Sequence, residues 1–206
     1  MLIIGVCGGS GSGKSTVAKT LVSRGAALFD ADAYYHALVA SNGPCMQEIC
    51  SLLGKDAQCD DGSLNRPYVA SIVFAPNQQG RKLLSKLNAI THAYVRQGYL
   101  EWVASLEQDT PYVVIDAPLL YEGAMDVYCD AVIAVVAQKA VRIRRIVERD
   151  GISCERAQAR IDAQVSDPIL AEKADYVIDN SFDLAHLNEQ IDKILTILTN
   201  KKGNKL

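Results

Sequence analysis

The chain has 206 residues, 49% of them hydrophobic and 22% charged, with a formal net charge of −3. That length buries a sizeable core, and the balance is that of a globular protein in water. A nucleic-acid-binding surface would be basic, no apolar run reaches a membrane span, and no basic segment precedes an apolar stretch at the N-terminus, so neither nucleic acid nor membrane is expected as a partner. Six cysteines (Cys7, Cys45, Cys50, Cys59, Cys129 and Cys154) form no C-x-x-C pair and none lies near a His at zinc spacing. They read as reduced thiols, Cys7 and Cys129 as small core residues, in a cytoplasmic protein.

The first element is an apolar run, Leu2–Cys7, suited to a buried strand. It leads into Gly8-Gly9-Ser10-Gly11-Ser12-Gly13-Lys14-Ser15-Thr16, a complete G-x-x-x-x-G-K-[ST] sequence, and Val17–Ser23 then reads as helix. Strand, glycine loop and helix in that order define a phosphate-binding loop. Glycines let the backbone curl so that the N–H groups from Gly9 to Thr16 face an anion, and the helix N-terminus adds partial positive charge. Lys14 is expected to reach the β- and γ-phosphates of ATP and the Ser15 hydroxyl to ligate Mg²⁺.

A second run, Ala26–Phe29, ends in Asp30-Ala31-Asp32. Ligands in open α/β sheets lie beyond the carboxyl ends of the strands, so a carboxylate here can take the proton of an acceptor hydroxyl. One of the two can cap the following helix while the other works; Asp32, farther out, is favoured as the base. Residues 33–110 are too many for one crossover. Turn signals at Ser41-Asn42-Gly43-Pro44, Asp60-Asp61-Gly62 and Ala75-Pro76-Asn77 divide them into a helical insertion that can hold a substrate. His36 and His92 fall within it and can meet an anionic ligand.

The third run closes as Val113-Val114-Ile115-Asp116-Ala117-Pro118, which offers Asp116 to Mg²⁺, directly or through water. Leu119, Leu120 and Tyr121 follow as an apolar wall, with Glu122 above it. The fourth run is Ala131–Val136. Residues 138–173 then form a second helical insertion carrying Arg142, Arg144, Arg145, Arg149, Arg156 and Arg160. Arg142, Arg145 and Arg149 share a helical face. Guanidinium forks suit the charge of a phosphoryl-transfer state, and a mobile arginine lid would exclude water. The competing reading is a solvated basic face pairing with Glu148, Asp150, Glu155 and Asp162; two or three of the arginines are expected at phosphate. The last run, Tyr176–Ile178, precedes a helix starting near Ser181–Asp183 with an apolar stripe from Leu184 to Leu198. Lys201–Lys205 reads as a frayed tail.

The runs are Val, Ile and Ala with little polar alternation, as in strands buried on both faces of a parallel sheet. The fold class is therefore α/β, a five-stranded parallel sheet flanked by helices. The core covers 1–32, 111–137 and 174–200, with a substrate-binding insertion at 33–110 and a lid at 138–173.

At this point the chain resembles the dephospho-CoA kinase family over nearly its whole length. The resemblance rests on the glycine loop, Asp30-Ala31-Asp32 with His36 downstream, Asp61-Gly62-Ser63-Leu64-Asn65-Arg66, and His92. It continues through Pro118-Leu119-Leu120-Tyr121-Glu122, Arg145 with Arg149-Asp150-Gly151, Arg160 with Gln164, and Ala174-Asp175-Tyr176-Val177-Ile178-Asp179-Asn180. It implies a P-loop, nucleoside-monophosphate-kinase-like fold and transfer of the ATP γ-phosphate to the 3′-hydroxyl of dephospho-CoA. It also implies Asp32, Lys14 and Arg145 as catalytic residues, and Arg145 and Arg149 at ATP. The acceptor would meet Asp32, His36, Arg66, His92, Pro118, Leu119, Glu122 and Arg160. Partners are ATP and dephospho-CoA, in a monomer or small homo-oligomer. Ser10, Asn65, Ala93 and Tyr121 depart from the family pattern, where Ile, Asp, Pro and Phe are usual. Ser10 also keeps a nucleoside kinase of the uridine kinase type as the alternative, since such loops often read Gly-Gly-Ser-Gly-Ser-Gly-Lys. A nucleotide switch is disfavoured, because Asn200-Lys201-Lys202-Gly203 lacks the Asp of a guanine-binding motif.

Overall fold

Val, Ile and Ala dominate β1 (Leu2–Cys7), β3 (Tyr112–Asp116) and β4 (Ala131–Val136), and all three are nearly inaccessible to water. Together with β2 (Ala26–Asp30) and β5 (Tyr176–Asp179) they form one sheet in the order β2-β3-β1-β4-β5. This is a computed structural model and describes residues 1–107 and 109–203. Strand β1 pairs in parallel with β3 (Ile3 opposite Val113) and with β4 (Ile4 opposite Ala131), and β4 pairs in parallel with β5 (Ile133 opposite Tyr176). The chain leaves central β1 toward one side of the sheet and β4 toward the other, so a crevice opens at their carboxyl ends.

The chain divides into two compact units, Met1–Leu28 with Glu107–Leu206, and Phe29–Leu106. In the first, Ile4, Val6, Val114, Ile133, Val135 and Ile178 of the sheet pack with Val17, Ala18 and Leu21 of α1 (Lys14–Ser23) and Leu187, Ile191 and Leu195 of α9 (Leu184–Gly203). Ile191 is fully buried, so truncation to Ala would cost about 2–5 kcal/mol. The stripe expected from Leu184 to Leu198 does bury Leu187, Ile191, Ile194, Leu195 and Leu198, whereas Leu184 itself is exposed. Asp183 accepts from the His186 N–H and starts α9 where the sequence places it. The tail is different: α9 continues to Gly203, and Lys201 Nζ lies 3.2 Å from the Tyr176 hydroxyl. The remainder of the expected frayed tail, residues 204 and 205, lies outside the described residues.

The same unit holds α6 (Lys139–Asp150), α7 (Cys154–Asp162) and α8 (Asp167–Lys173). Ile146, Ala157 and Ile161 form a small core between α6 and α7.

The second unit is helical: α2 (Ala31–Leu38), α3 (Pro44–Leu53), α4 (Arg66–Val73) and α5 (Gln78–Ala104). Its separate core comprises Val39, Met46, Ile49, Leu53, Val69, Val73 and Leu87. Phe29 meets the rings of Tyr34, Tyr99 and Trp102 at centroid distances of 5.4 Å each, a range in which aromatic pairs attract. All six cysteines are free. No helix among the described residues is long and apolar enough to cross a membrane.

Candidate active site

The glycine loop turns directly from β1 into α1, and Lys14 is the first residue of that helix. Gly13, at its N-cap, has φ +89°, a conformation that L side chains avoid. A Cβ there would also overlap the Asn180 amide nitrogen. Asn180 is buried at the carboxyl end of β5, and its Nδ2 donates to the Ser12 carbonyl at 2.8 Å. The last strand thus holds the loop from behind. Ser12 is itself fully buried, with no hydrogen-bond partner for its hydroxyl among the described residues. Ser15 is exposed at the start of α1, which leaves its hydroxyl free to reach a ligand at the helix N-terminus.

Asp116 is the last residue of β3 and only 5% exposed. Its Oδ1 forms an ion pair with Lys14 Nζ. A buried carboxylate needs such compensation, and the pairing places the loop lysine and the strand-end acid at one point. Beside the loop, burial pushes the Cys7 thiol up to about 11, so it stays protonated and inert at neutral pH.

The arginines separate into two groups. Arg145 donates from Nη2 to the Asn180 carbonyl at 2.9 Å and from Nη1 toward the Gly11 and Ser12 carbonyls at 3.4 and 3.3 Å. Arg142 is 4% exposed and donates from Nε to the Ser10 carbonyl at 2.9 Å. Arg149 and Arg160, by contrast, both donate to Asp150 at the C-terminal end of α6. Arg144 faces Glu148 and Lys139 pairs with Asp162. The solvated-face reading therefore accounts for part of the cluster.

After β3, Leu119 is exposed, Leu120 fully buried and Glu122 exposed; Pro118 is half-buried. The Tyr121 ring lies under Lys173 Nζ, 5.2 Å from its centroid, and burial raises the phenol to about 12.

In the helical unit Asp30 takes the capping place that the sequence offers to either carboxylate: its side chain accepts from the Ala33 N–H at 2.9 Å, and α2 starts at Ala31. Asp32 sits exposed in the first turn. His36 lies in the last turn of the same short helix and its Nδ1 lies 2.7 Å from Arg66 Nη2. Arginine only donates, so this ring nitrogen accepts and the neutral ring carries its proton on Nε2. His92 lies half-buried on α5. Two departures from the family pattern have local explanations. Asn65 caps α4 by accepting from the Tyr68 N–H at 3.3 Å and also donates to the Asp56 carbonyl at 3.0 Å, which an Asp could not do. Ala93 keeps a backbone N–H within α5, where Pro would remove one.

Arg142, Gln164 and Asn180 contact the loop and Asp167 pairs with Arg142; none is assigned a site role by the sequence, beyond the place of Arg142 among the arginines expected at phosphate. A signal existed for two: Arg142 is three residues before Arg145, and Asn180 directly follows the last strand, where the carboxyl-edge rule applies.

A glycine loop at the crevice of a five-stranded parallel sheet, with its lysine paired to a strand-end carboxylate, defines a P-loop kinase. Comparisons narrow the class. The profile of one protein family, "CoaE: Dephospho-CoA kinase", matches residues 2–186. A dephospho-CoA kinase of Corynebacterium efficiens is 37% identical over 98% of this chain and 100% of its own. The crystal structure of TT1252 from Thermus thermophilus superposes with TM-score 0.79 at 31% identity, covering 95% of this chain and 96% of that one. The dephospho-CoA kinase from Campylobacter jejuni follows at TM-score 0.67 and 27% identity, with 98% of each chain covered. The chain belongs to the dephospho-CoA kinase family, and it is a kinase.

Proposed function

We propose that the chain transfers the γ-phosphoryl group of ATP to the 3′-hydroxyl of dephospho-CoA, releasing coenzyme A and ADP. The observation that carries this reading is the Lys14–Asp116 ion pair at the glycine loop, with Arg145 on the neighbouring Asn180 carbonyl, in a chain whose residues 2–186 match the family. The glycine loop, Gly9 to Thr16, and the α1 N-terminus hold the phosphates. Lys14 leaves Asp116 for the β- and γ-oxygens, and Arg145 exchanges backbone carbonyls for equatorial oxygens as charge spreads over them. Asp32 accepts the hydroxyl proton while the oxygen's electron pair attacks phosphorus; the bond to the bridging β–γ oxygen breaks and ADP leaves. Arg66, His36, His92, Pro118, Leu119 and Glu122 bind the acceptor, and Arg149 and Arg160 reach phosphate by releasing Asp150.

The donor set fits Mg²⁺. Ser15 and Asp116 offer a hydroxyl and a carboxylate, and no group of three or more His, Cys, Asp or Glu side chains able to hold a metal occurs among the described residues. Mg²⁺ favours such sparse oxygen sites because it keeps waters and substrate phosphates as its other ligands. When bound, the metal supplies charge neutralisation at the phosphate oxygens. The substrate-binding insertion at 33–110, the lid at 138–173, a cytoplasmic location and a monomeric or small homo-oligomeric state belong to the same proposal.

ADP release measured with dephospho-CoA, uridine or no acceptor tests the reading. Turnover should require dephospho-CoA; equal or faster turnover with uridine would overturn it.

A further inference from the structure

The backbone of Ser10 is held on both sides by residues that the phosphoryl-transfer chemistry does not use. Its N–H donates to Gln164 Oε1 at 2.8 Å, and its carbonyl accepts from Arg142 Nε at 2.9 Å. Arg142 Nη2 also lies 3.4 Å from the same Gln164 oxygen, while Nη1 donates to Asp167 Oδ1 at 2.7 Å. Arg142 is 4% exposed and the Asp167 side chain 22%, so the carboxylate neutralises a charge that water no longer reaches. The fit at the loop is close. The Arg142 guanidinium occupies the space that a side chain at Gly9 would need, and the Arg142 carbonyl lies 2.6 Å from where a Cβ at Gly11 would sit. Gln164 follows α7 and Asp167 opens α8, so three separate pieces of 138–173 converge on one loop residue.

We propose that Arg142, Gln164 and Asp167 are positioning residues that clamp the Ser10 backbone and hold the glycine loop in its ATP-binding shape. The clamp grips one residue at the start of the loop by its N–H and its carbonyl, and so fixes the two peptide groups that flank it. The N–H groups nearer the helix, those of Gly13, Lys14 and Ser15, carry none of its hydrogen bonds and remain for phosphate. A loop of glycines has much conformational entropy to lose on binding an anion. Fixing the Ser10 backbone beforehand removes part of that cost, as preorganisation does generally. The clamp also ties α6, α7 and α8 to the donor site, so a movement of those helices is felt by the loop. Asp167 acts through Arg142: it sets the guanidinium plane so that Nε faces the Ser10 carbonyl.

The inference rests on reading the glycine loop as the ATP site, and the test separates the two. ATP affinity is measured by calorimetry without acceptor, dephospho-CoA affinity separately, and the thermal midpoint alongside. Gln164 is exposed, so Gln164→Ala should fold normally. It and Arg142→Lys should each raise the Kd for ATP about tenfold, the usual scale for outer-shell partners, with the Kd for dephospho-CoA changed less than about twofold. Asp167→Asn should act in the same direction. Because two of these contacts hold one residue, the double variant Gln164→Ala/Arg142→Lys should lose less than the product of the single losses. Arg144→Ala, on the same helix but facing Glu148, should leave ATP affinity unchanged. ATP affinity within twofold of the parent in both folded single variants overturns the clamp, as do equal losses for both substrates that track the thermal midpoint. A parent chain that does not bind ATP overturns the loop reading as well.

Discussion

Lys14 Nζ and Asp116 Oδ1 form an ion pair between the first residue of α1 and the last residue of β3, both largely shielded from water. Each partner compensates the other's desolvation, and each is also a group that phosphate chemistry requires. In the proposed function, binding of ATP would replace one pairing by another: lysine to phosphate, carboxylate to metal. Lys14→Ala should abolish turnover, with kcat falling at least about 10²–10³-fold, the loss seen when a preorganised charge is removed. Asp116→Asn should leave Lys14 in place and shift the metal dependence of turnover to higher Mg²⁺ concentration. Steady-state rates across a Mg²⁺ series check both; near-native activity in Lys14→Ala contradicts the donor-site reading.

Asp30 and Asp32 separate by role in the proposed function. Asp30 accepts from the Ala33 N–H and caps α2, and Asn caps as well as Asp. Asp30→Asn should therefore retain stability and turnover. Asp32→Asn should lower kcat about 10²–10⁴-fold while the Kd for ATP stays within about twofold. The reverse pattern, with the loss at Asp30, would exchange the two assignments.

Gly98 on α5 makes room for the Tyr34 ring, which fills the place a Cβ would take. Gly98→Ala should destabilise the helical unit by about 1–3 kcal/mol through overpacking, although Ala is the better helix former. Tyr34→Ala in that background should recover part of the loss, measured as a rise in the thermal midpoint. A gain in stability from Gly98→Ala alone would contradict the packing.

Arg149 holds Asp150 by two hydrogen bonds and Arg160 adds a third. These guanidinium groups pull the carboxyl from 3.8 down to about 2. A carboxyl depressed in the folded state contributes stability that is complete above its unfolded value and is lost as pH falls through its folded value. The contribution should therefore persist at neutral pH and vanish between pH 3.8 and about 2. An NMR titration of Asp150 should show its midpoint well below 3.8; an ordinary midpoint contradicts the three-residue cluster.

The sheet could be read from sequence because its strands are buried on both faces and announce themselves as Val and Ile runs. Their ends were harder to place. Asp30, Asp116 and Asp179 close β2, β3 and β5, since backbone pairing continues past the last apolar side chain. The glycine loop was legible because phosphate binding by backbone N–H groups requires one local pattern. The arginines were not. Spacing puts Arg142, Arg145 and Arg149 on one face of α6, but only tertiary structure decides that Arg142 finds Ser10 and Asp167, Arg145 finds Asn180, and Arg149 finds Asp150. The clamp was hidden for the same reason, because its members come from α6, the end of α7 and the start of α8.

Regiospecific phosphoryl transfer is tested most directly by phosphorus NMR of the product formed from ATP and dephospho-CoA with Mg²⁺. One new phosphomonoester resonance, coupled to the ribose 3′-proton, should appear in step with ADP. Phosphate on any other hydroxyl, or ADP accumulating with dephospho-CoA unchanged, would contradict it.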